Sequence, residues 1–540
     1  MLPRLTLPPP PAWLAGLALA FVVPGLAGHD SWKSLDAIGI GIVHDMALSR
    51  DLLVPHVASW TWLNDAPLYF WVALAFGKLF QLFVEFHSAA RLASGAFVLA
   101  TCWLLYRAAR DWTPLEDRHT TAAAALLLFI GSVGLIVHAH EALPELAALA
   151  ALSGALAVLP RAATRPVATG ALFGAALGLA FLSSTWIAPA ALGLAVVAAH
   201  LACPEWRGRN ALPFLAASLF VGGVLAISWP LALYGRSPEL VKEWWTLASQ
   251  PQGALGTNVY YFLSTGSWFA WPAWPLAAWA VWSMRRRLGE PRLFVPAFAS
   301  LAALFGAAYM GPPQDVNLLA LLAPLALLAS QGVLTLRRGA AAALDWFGVI
   351  TFAFFVGLIW LGYMGMMTGV PPKVAANFAR AAPGFTPEFN VFYFLFAAAL
   401  TLAWFYIVLF AAPAPLRSVA RWAAGVVLLW GTFAMLWMPW ADYQKSYRSV
   451  ALQLRSKVPA GAGCVAAKQL GVPQAAALDY HASLRLRAFD MLKPQACPLL
   501  LVQGSPQHEF DAPGAGWVKL ADVGRPGDKG ERYRLYRLVK

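Results

Sequence analysis

The chain has 540 residues, of which 60% are apolar and 12% charged. Soluble domains average roughly 45–50% apolar and about 25% charged, so an ordinary soluble enzyme and a disordered chain are both excluded. Four cysteines exclude a disulfide-built scaffold. The net charge of +13 includes no basic run interleaved with stacking aromatics, so nucleic-acid binding is excluded too.

What remains is a polytopic membrane protein, and 25 tryptophans fit it, since indole favours the membrane interface. A crossing needs about 20 mostly apolar residues, and about thirteen stretches qualify. They fall at 12–28, 89–106, 120–138, 142–159, 168–183, 186–202, 212–234, 262–283, 293–310, 317–335, 345–366, 391–411 and 420–440. Arg107, Arg110 and Arg118 follow the second, Arg161 and Arg165 the fourth, and Arg207 and Arg209 the sixth. Arg285, Arg286, Arg287 and Arg292 follow the eighth, Arg337 and Arg338 the tenth, and Arg417 and Arg421 the twelfth. The alternate connections near 139–141, 184–185 and 311–316 carry no Lys or Arg. This alternation predicts a cytoplasmic N-terminus and a C-terminus on the far side. The first stretch ends like a signal peptide, but the alternation works with it retained, so an anchor is expected.

Three external segments are long: 29–88, 235–261 and 367–390. Within the first, 68–84 reads as an interfacial helix, because Lys78, Glu85 and His87 interrupt a crossing. The transmembrane part is expected at 1–440 and a soluble α/β domain at 441–540. In that domain short apolar runs at 464–467, 485–489, 498–502, 517–520 and 533–539 alternate with a helix at 472–482. Cys464 and Cys497 are its only cysteines. Outside the cytoplasm a disulfide between them persists; two buried free thiols are the alternative.

Chemistry needs ionisable groups, and they cluster in two places. Segment 29–67 holds Asp30, Lys33, Asp36, His44, Asp45, Asp51, His56 and Asp65. Asp36 opens a helical pattern, where a carboxylate serves equally as a cap. Asp51 and Asp65 fit turns. The second external connection carries His138, His140, Glu141 and Glu145. Ionisable residues at the mouth of two spans are costly and usually functional. Glu141 and Glu145 share a helical face. A divalent metal held by His140, Glu145 and an acid of the first loop is one reading; no HExxH pattern or cysteine cluster supports it, and no cofactor is expected. No Walker loop, dinucleotide fingerprint or nucleophile elbow is present.

The stretch DMALSRDLLVPHVASWTWLNDAPLYFWVALAFGKLF (45–80) resembles the first external loop of the aminoarabinose transferase and protein O-mannosyltransferase superfamily. Met46, Asp51 and Pro55 fall in that register, and Asp65 and Pro67 match the acid and proline of its later turn. GLAFLSSTW (178–186), WFAWPAWPLAAWAVW (268–282) and LLALLAPLALLAS (318–330) are similar to later spans of the family. The resemblance implies an all-α polytopic bundle of about thirteen crossings, the C-type glycosyltransferase fold. It implies transfer of a sugar from a polyprenyl-phosphate carrier to a hydroxyl of an envelope lipid, glycan or protein, at the outer face of the bacterial inner membrane. It makes Asp36 the base and Asp65 the second, orienting acid, with His140, Glu141 and Glu145 lining the same cavity. The family's acid pair reads Leu35-Asp36 here, its lysine is replaced at Ser183-Ser184, its turn reads Asp65-Ala66, and Gln314, Asp315 and Asn317 stand where a basic residue is usual. Lys33, Arg50, Arg236 and Lys242 are the external cations that would then meet the phosphate. The 367–390 loop is expected to cover the site. A non-catalytic lipid-sugar transporter and an inactive envelope scaffold are the rival readings.

Overall fold

In the computed structural model, described for residues 8–32, 35–208, 210–459, 461–484, 486–489, 497–505, 513–514, 516–528 and 530–539, the protein is a helical membrane bundle carrying a small α/β unit at one end. Among the described residues eight helices are long and apolar enough to cross a membrane, from Phe86–Trp112 to Arg417–Leu436. Pro11–Val22, Arg118–Ile130, Pro166–Phe181 and Ile187–Ala202 are shorter apolar helices packed among them.

Three expected spans are cut short, each by backbone chemistry. The first ends at Val22, ahead of Pro24 and of Gly25 at φ +91°. A Cβ on Gly25 would lie 2.5 Å from the Trp430 ring, whose indole donates to the Pro24 carbonyl at 2.7 Å. The stretch 120–138 ends its helix at Ile130 and resumes as the single turn Leu135–His138. The stretch 262–283 is two helices, Leu255–Phe269 and Ala273–Ser283, because Pro272 has no amide hydrogen to continue the ladder.

Small residues set the closest helix pair. Gly170, Gly174 and Gly178, spaced four apart on Pro166–Phe181, face Ala211–Arg236. A Cβ at Gly170 or Gly174 would collide with the carbonyls of Phe214 and Ser218, and one at Gly178 would sit 2.6 Å from Leu225. Such spacing lets backbones approach where no hydrophobic effect drives them together.

Segment 29–88 folds on the end of the bundle that bears the acids. It contains the Leu35–Ser49 helix, a two-stranded ribbon (His56–Val57 with Trp60–Thr61) and the helix Leu68–Phe80. Leu35–Ser49 is buried on almost every side: Gly39 abuts the Ala142 carbonyl, and a Cβ at Gly41 would come within 2.8 Å of Ala476. That helix is therefore clamped between bundle and α/β unit. At the opposite end arginines gather, and Arg161 reaches Asp111 at 2.9 Å.

The α/β unit has a five-stranded sheet in the order Leu486–Ala488, Val465–Lys468, Leu499–Gly504, Arg532–Leu538, Trp517–Val523. The first three are parallel and the last two antiparallel. Helix Val472–Ala482, at the predicted place, forms the crossover between the first two parallel strands. Cys464 and Cys497, just ahead of adjacent strands, form a disulfide. Arg448 ties the unit down, with its Nη2 2.5 Å from Asp30 and 2.6 Å from Glu85.

Candidate functional site

A cavity of about 210 Å³ opens where the first loop meets the bundle. Its walls come from five places in the chain: Trp62, Asn64 and Asp65 of the first loop; Glu145 in the first turn of Pro144–Val158; Ser184, Thr185 and Trp186; Trp229, Trp244 and Gln252; and Gln314 and Asn317. A narrower space of about 40 Å³ continues from Glu145, Ser184 and Asn317 down between Leu149, Leu152, Ala303 and Ala307. The larger of the two sets aromatic faces beside amides, hydroxyls and carboxylates.

Asp65 and Glu145 are the two carboxylates in the wall. Asp65 accepts a hydrogen bond from the Trp62 indole at 3.0 Å. Burial penalises its charged form and pushes its pKa up to about 6, against the opposing indole bond. Oε2 of Glu145 is buried and has no hydrogen-bond partner among the described residues. An unpaired buried oxygen costs free energy that a hydrogen-bond donor reaching it would recover.

Asp36 stands elsewhere. It is 3% exposed and locked to the fully buried Arg91. Arg91 Nε donates to its Oδ1 at 3.0 Å and Nη2 to its Oδ2 at 2.8 Å, while the Ala142 amide donates to Oδ1 at 2.8 Å. Burial alone would raise its pKa, but the Arg91 charge and hydrogen bonds dominate and hold it below the usual carboxylate range. Its neighbour Leu35 lines the cavity; Asp36 itself does not. The position that the resemblance assigns to a base is here an internal ion pair.

The second acidic cluster also divides. His140 turns inward, stacked on Trp430 with ring centroids 4.3 Å apart, and its nitrogens face the carbonyls of Ile136 and Phe21. Among the described residues, His140, Glu145 and a loop acid do not come together as a metal-ligand group. Glu141 accepts from His138 Nδ1 at 2.7 Å, and His138 Nε2 lies 3.5 Å from Asp315. Burial opposes charge on this imidazole, but the hydrogen bonds to Asp315 and Glu141 prevail and raise it to about 10. The imidazolium thus clamps the 131–143 connection to the 311–318 connection at the cavity's rim.

The described external cations stay out. Lys33 lies outside the described residues. Arg50 is exposed at φ 61°, Arg236 is exposed and 3.7 Å from Asp51, and Lys242 is exposed on Pro238–Ser249. Among the described residues no Lys or Arg lines the cavity. The 367–390 segment does not cover it either. Its helix Pro372–Ala381 packs against Trp437 and Trp440 through Phe378, and Gln444 holds the Ala381 carbonyl, beside the α/β unit.

Sequence reading missed Arg91 and the tryptophan walls. Arg91 had a signal: an arginine within a predicted span demands a buried partner. The tryptophans had none, since any of 25 could lie at a lipid interface.

No family model and no curated protein matches the chain. Solved structures do. The crystal structure of ArnT from Cupriavidus metallidurans bound to undecaprenyl phosphate matches at TM-score 0.71 and 17% identity, covering 97% of this chain and 97% of that one. The apo state of the same protein matches at TM-score 0.71 and 19% identity, with the same coverage. The match extends over nearly the whole length, and the chain has the C-type fold of polytopic membrane glycosyltransferases.

Proposed function

We propose that this protein transfers a sugar from a polyprenyl-phosphate carrier to a hydroxyl of an envelope lipid, glycan or protein at the outer face of the bacterial inner membrane. The observation that carries the reading is the convergence of Asp65 and Glu145, distant in sequence, on one aromatic-walled cavity at the bundle's loop-bearing end. The fold shared with a protein crystallised with undecaprenyl phosphate supports the carrier class. The arginine alternation supports a cytoplasmic N-terminus and a periplasmic α/β unit.

Glu145 serves as the base. Its free oxygen takes the proton as the acceptor hydroxyl attacks the anomeric carbon. The bond between that carbon and the phosphate oxygen breaks, and the lipid phosphate leaves with the electron pair. Asp65, held by Trp62, accepts a sugar hydroxyl and orients the ring.

Transfer from a labelled polyprenyl-phosphate sugar in vesicles tests this. Glu145→Gln should lower the rate by about 10²–10⁴-fold with folding intact. A wild-type protein that transfers none of a panel of carrier-linked sugars removes the reading. It would favour an inactive envelope scaffold instead, for which the occupied Asp36 and the cation-free cavity also speak.

A further inference from the structure

A second concavity, which shares no lining residue with the first, lies between Ala273–Ser283 and the first half of Arg338–Thr368. It encloses about 490 Å³, and Pro275, Leu276, Trp279, Ala340, Ala343 and Leu344 form its sides. The two walls belong to different packing partners: Ala273–Ser283 rests on Leu319–Gly332, and Arg338–Thr368 on Arg417–Leu436. The slot between them is therefore left open to lipid. One end is closed by Trp271, which meets Phe347 edge-on with centroids 5.9 Å apart, while Phe347 stacks on Trp422 at 5.8 Å.

The other end is cationic. Trp279 donates its indole N–H to Thr335 at 3.2 Å, and the Arg337 guanidinium lies 5.6 Å above its ring. Arg338 follows, and Arg285 and Arg286 stand at the end of the facing helix. The acids nearby are already taken: Asp345 by Arg421 at 2.6 Å and Arg417 at 3.4 Å, Glu290 by Arg287 and Arg292. Among the described residues, Arg285, Arg286, Arg337 and Arg338 have no ion-pair partner.

We propose that this groove holds one acyl chain of an anionic glycerophospholipid, with its phosphate among Arg337, Arg338, Arg285 and Arg286. From Ala340 to Phe347 the wall runs about 10 Å at ~1.5 Å per residue, most of a leaflet of ~15 Å. An apolar slot of that depth fits an alkyl chain. The indole at its mouth sits where headgroups begin. Four arginines without acids select a net negative headgroup, because a zwitterionic lipid brings its own cation against them. The site is independent of the carboxylate cavity and of the proposed transfer.

Native mass spectrometry of the delipidated full-length protein tests it, with phosphatidylglycerol and phosphatidylcholine as probes. Phosphatidylglycerol should be retained and phosphatidylcholine shed. The Arg337→Gln/Arg338→Gln double variant should lose about thirtyfold in phosphatidylglycerol affinity. Ala343→Trp, which fills the slot and leaves the charges, should lose it as well; Ala340→Leu serves the same end if that variant is not monodisperse. Arg165→Gln, at another arginine-bearing connection, should change nothing. Equal retention of the two lipids, full binding by the slot-filled variants, or an equal loss in Arg165→Gln overturns the proposal. So does displacement of phosphatidylglycerol by undecaprenyl phosphate at equal concentration, which would assign the slot to the carrier.

Discussion

Asp36 and Asp65 are both loop acids, and their surroundings give them opposite characters. Asp36 faces a buried guanidinium, so its removal leaves Arg91 as an uncompensated charge. Asp36→Asn should therefore destabilise the protein by about 3–5 kcal/mol. Thermal unfolding in detergent checks this, and a variant that unfolds like wild type but transfers no sugar would return the base role to Asp36. Asp65 has an aromatic neighbour and no cation. With a folded pKa of about 6, above the ordinary aspartate value of about 3.9, the native state binds more protons than the unfolded chain between those two values. Stability from this group is thus present below about pH 4 and lost as pH rises through about 6. Asp65→Asn should unfold at a higher temperature than wild type near pH 7.5 and at the same temperature near pH 4.

The glycine ladder on Pro166–Phe181 has a measurable consequence for its helix pair. Gly174→Val places a branched side chain against the Ser218 carbonyl, so the two helices must separate. The loss should be at least about 1–3 kcal/mol, the usual cost of overpacking, read as a lowered unfolding midpoint. Because Phe181 and Trp229 on this pair also line the cavity, transfer should fall with it. Most elements were legible in the sequence: the 472–482 helix, a helix within 68–84 and a strand at each of the five apolar runs of the terminal sheet appear where the sequence put them. Two of the failures share one cause. Hydropathy averages over about twenty residues, so it does not register the break at Pro272 or the stop before Pro24.

Over the whole molecule, the terminal unit is tied to the first loop through Asp30 and Asp442. Asp30 receives Arg448 and Ser446, the latter at 2.5 Å, and Asp442 receives the Asp30 amide and the Trp32 indole. Asp30, Glu85 and His87 lie close enough to suggest a metal site, but Arg448 already bridges both acids, and the His87 nitrogens face the His29 carbonyl and Tyr480. Arg448→Ala should loosen the unit, seen as faster proteolysis near 441–460 with the bundle's unfolding unchanged. The disulfide closes a 33-residue separation. Cys464→Ser with Cys497→Ser should cost the unit about 2–4 kcal/mol, measured by hydrogen exchange of the sheet.

By itself the sequence determined that the chain is a membrane bundle, which connections bear arginine, and that a small α/β unit follows. Those properties are sums over many residues or local periodicities, and they survive without knowledge of neighbours. It also marked out the loop acids, but not their roles. Whether a carboxylate is a clamp or a reactive group depends on what lies within 3 Å of it. Arg91 for Asp36 is a contact made by packing, as is the approach of Glu145 across eighty residues of chain to the same cavity as Asp65. Only the tertiary structure decided those, because desolvation and pairing act through space and not along the chain.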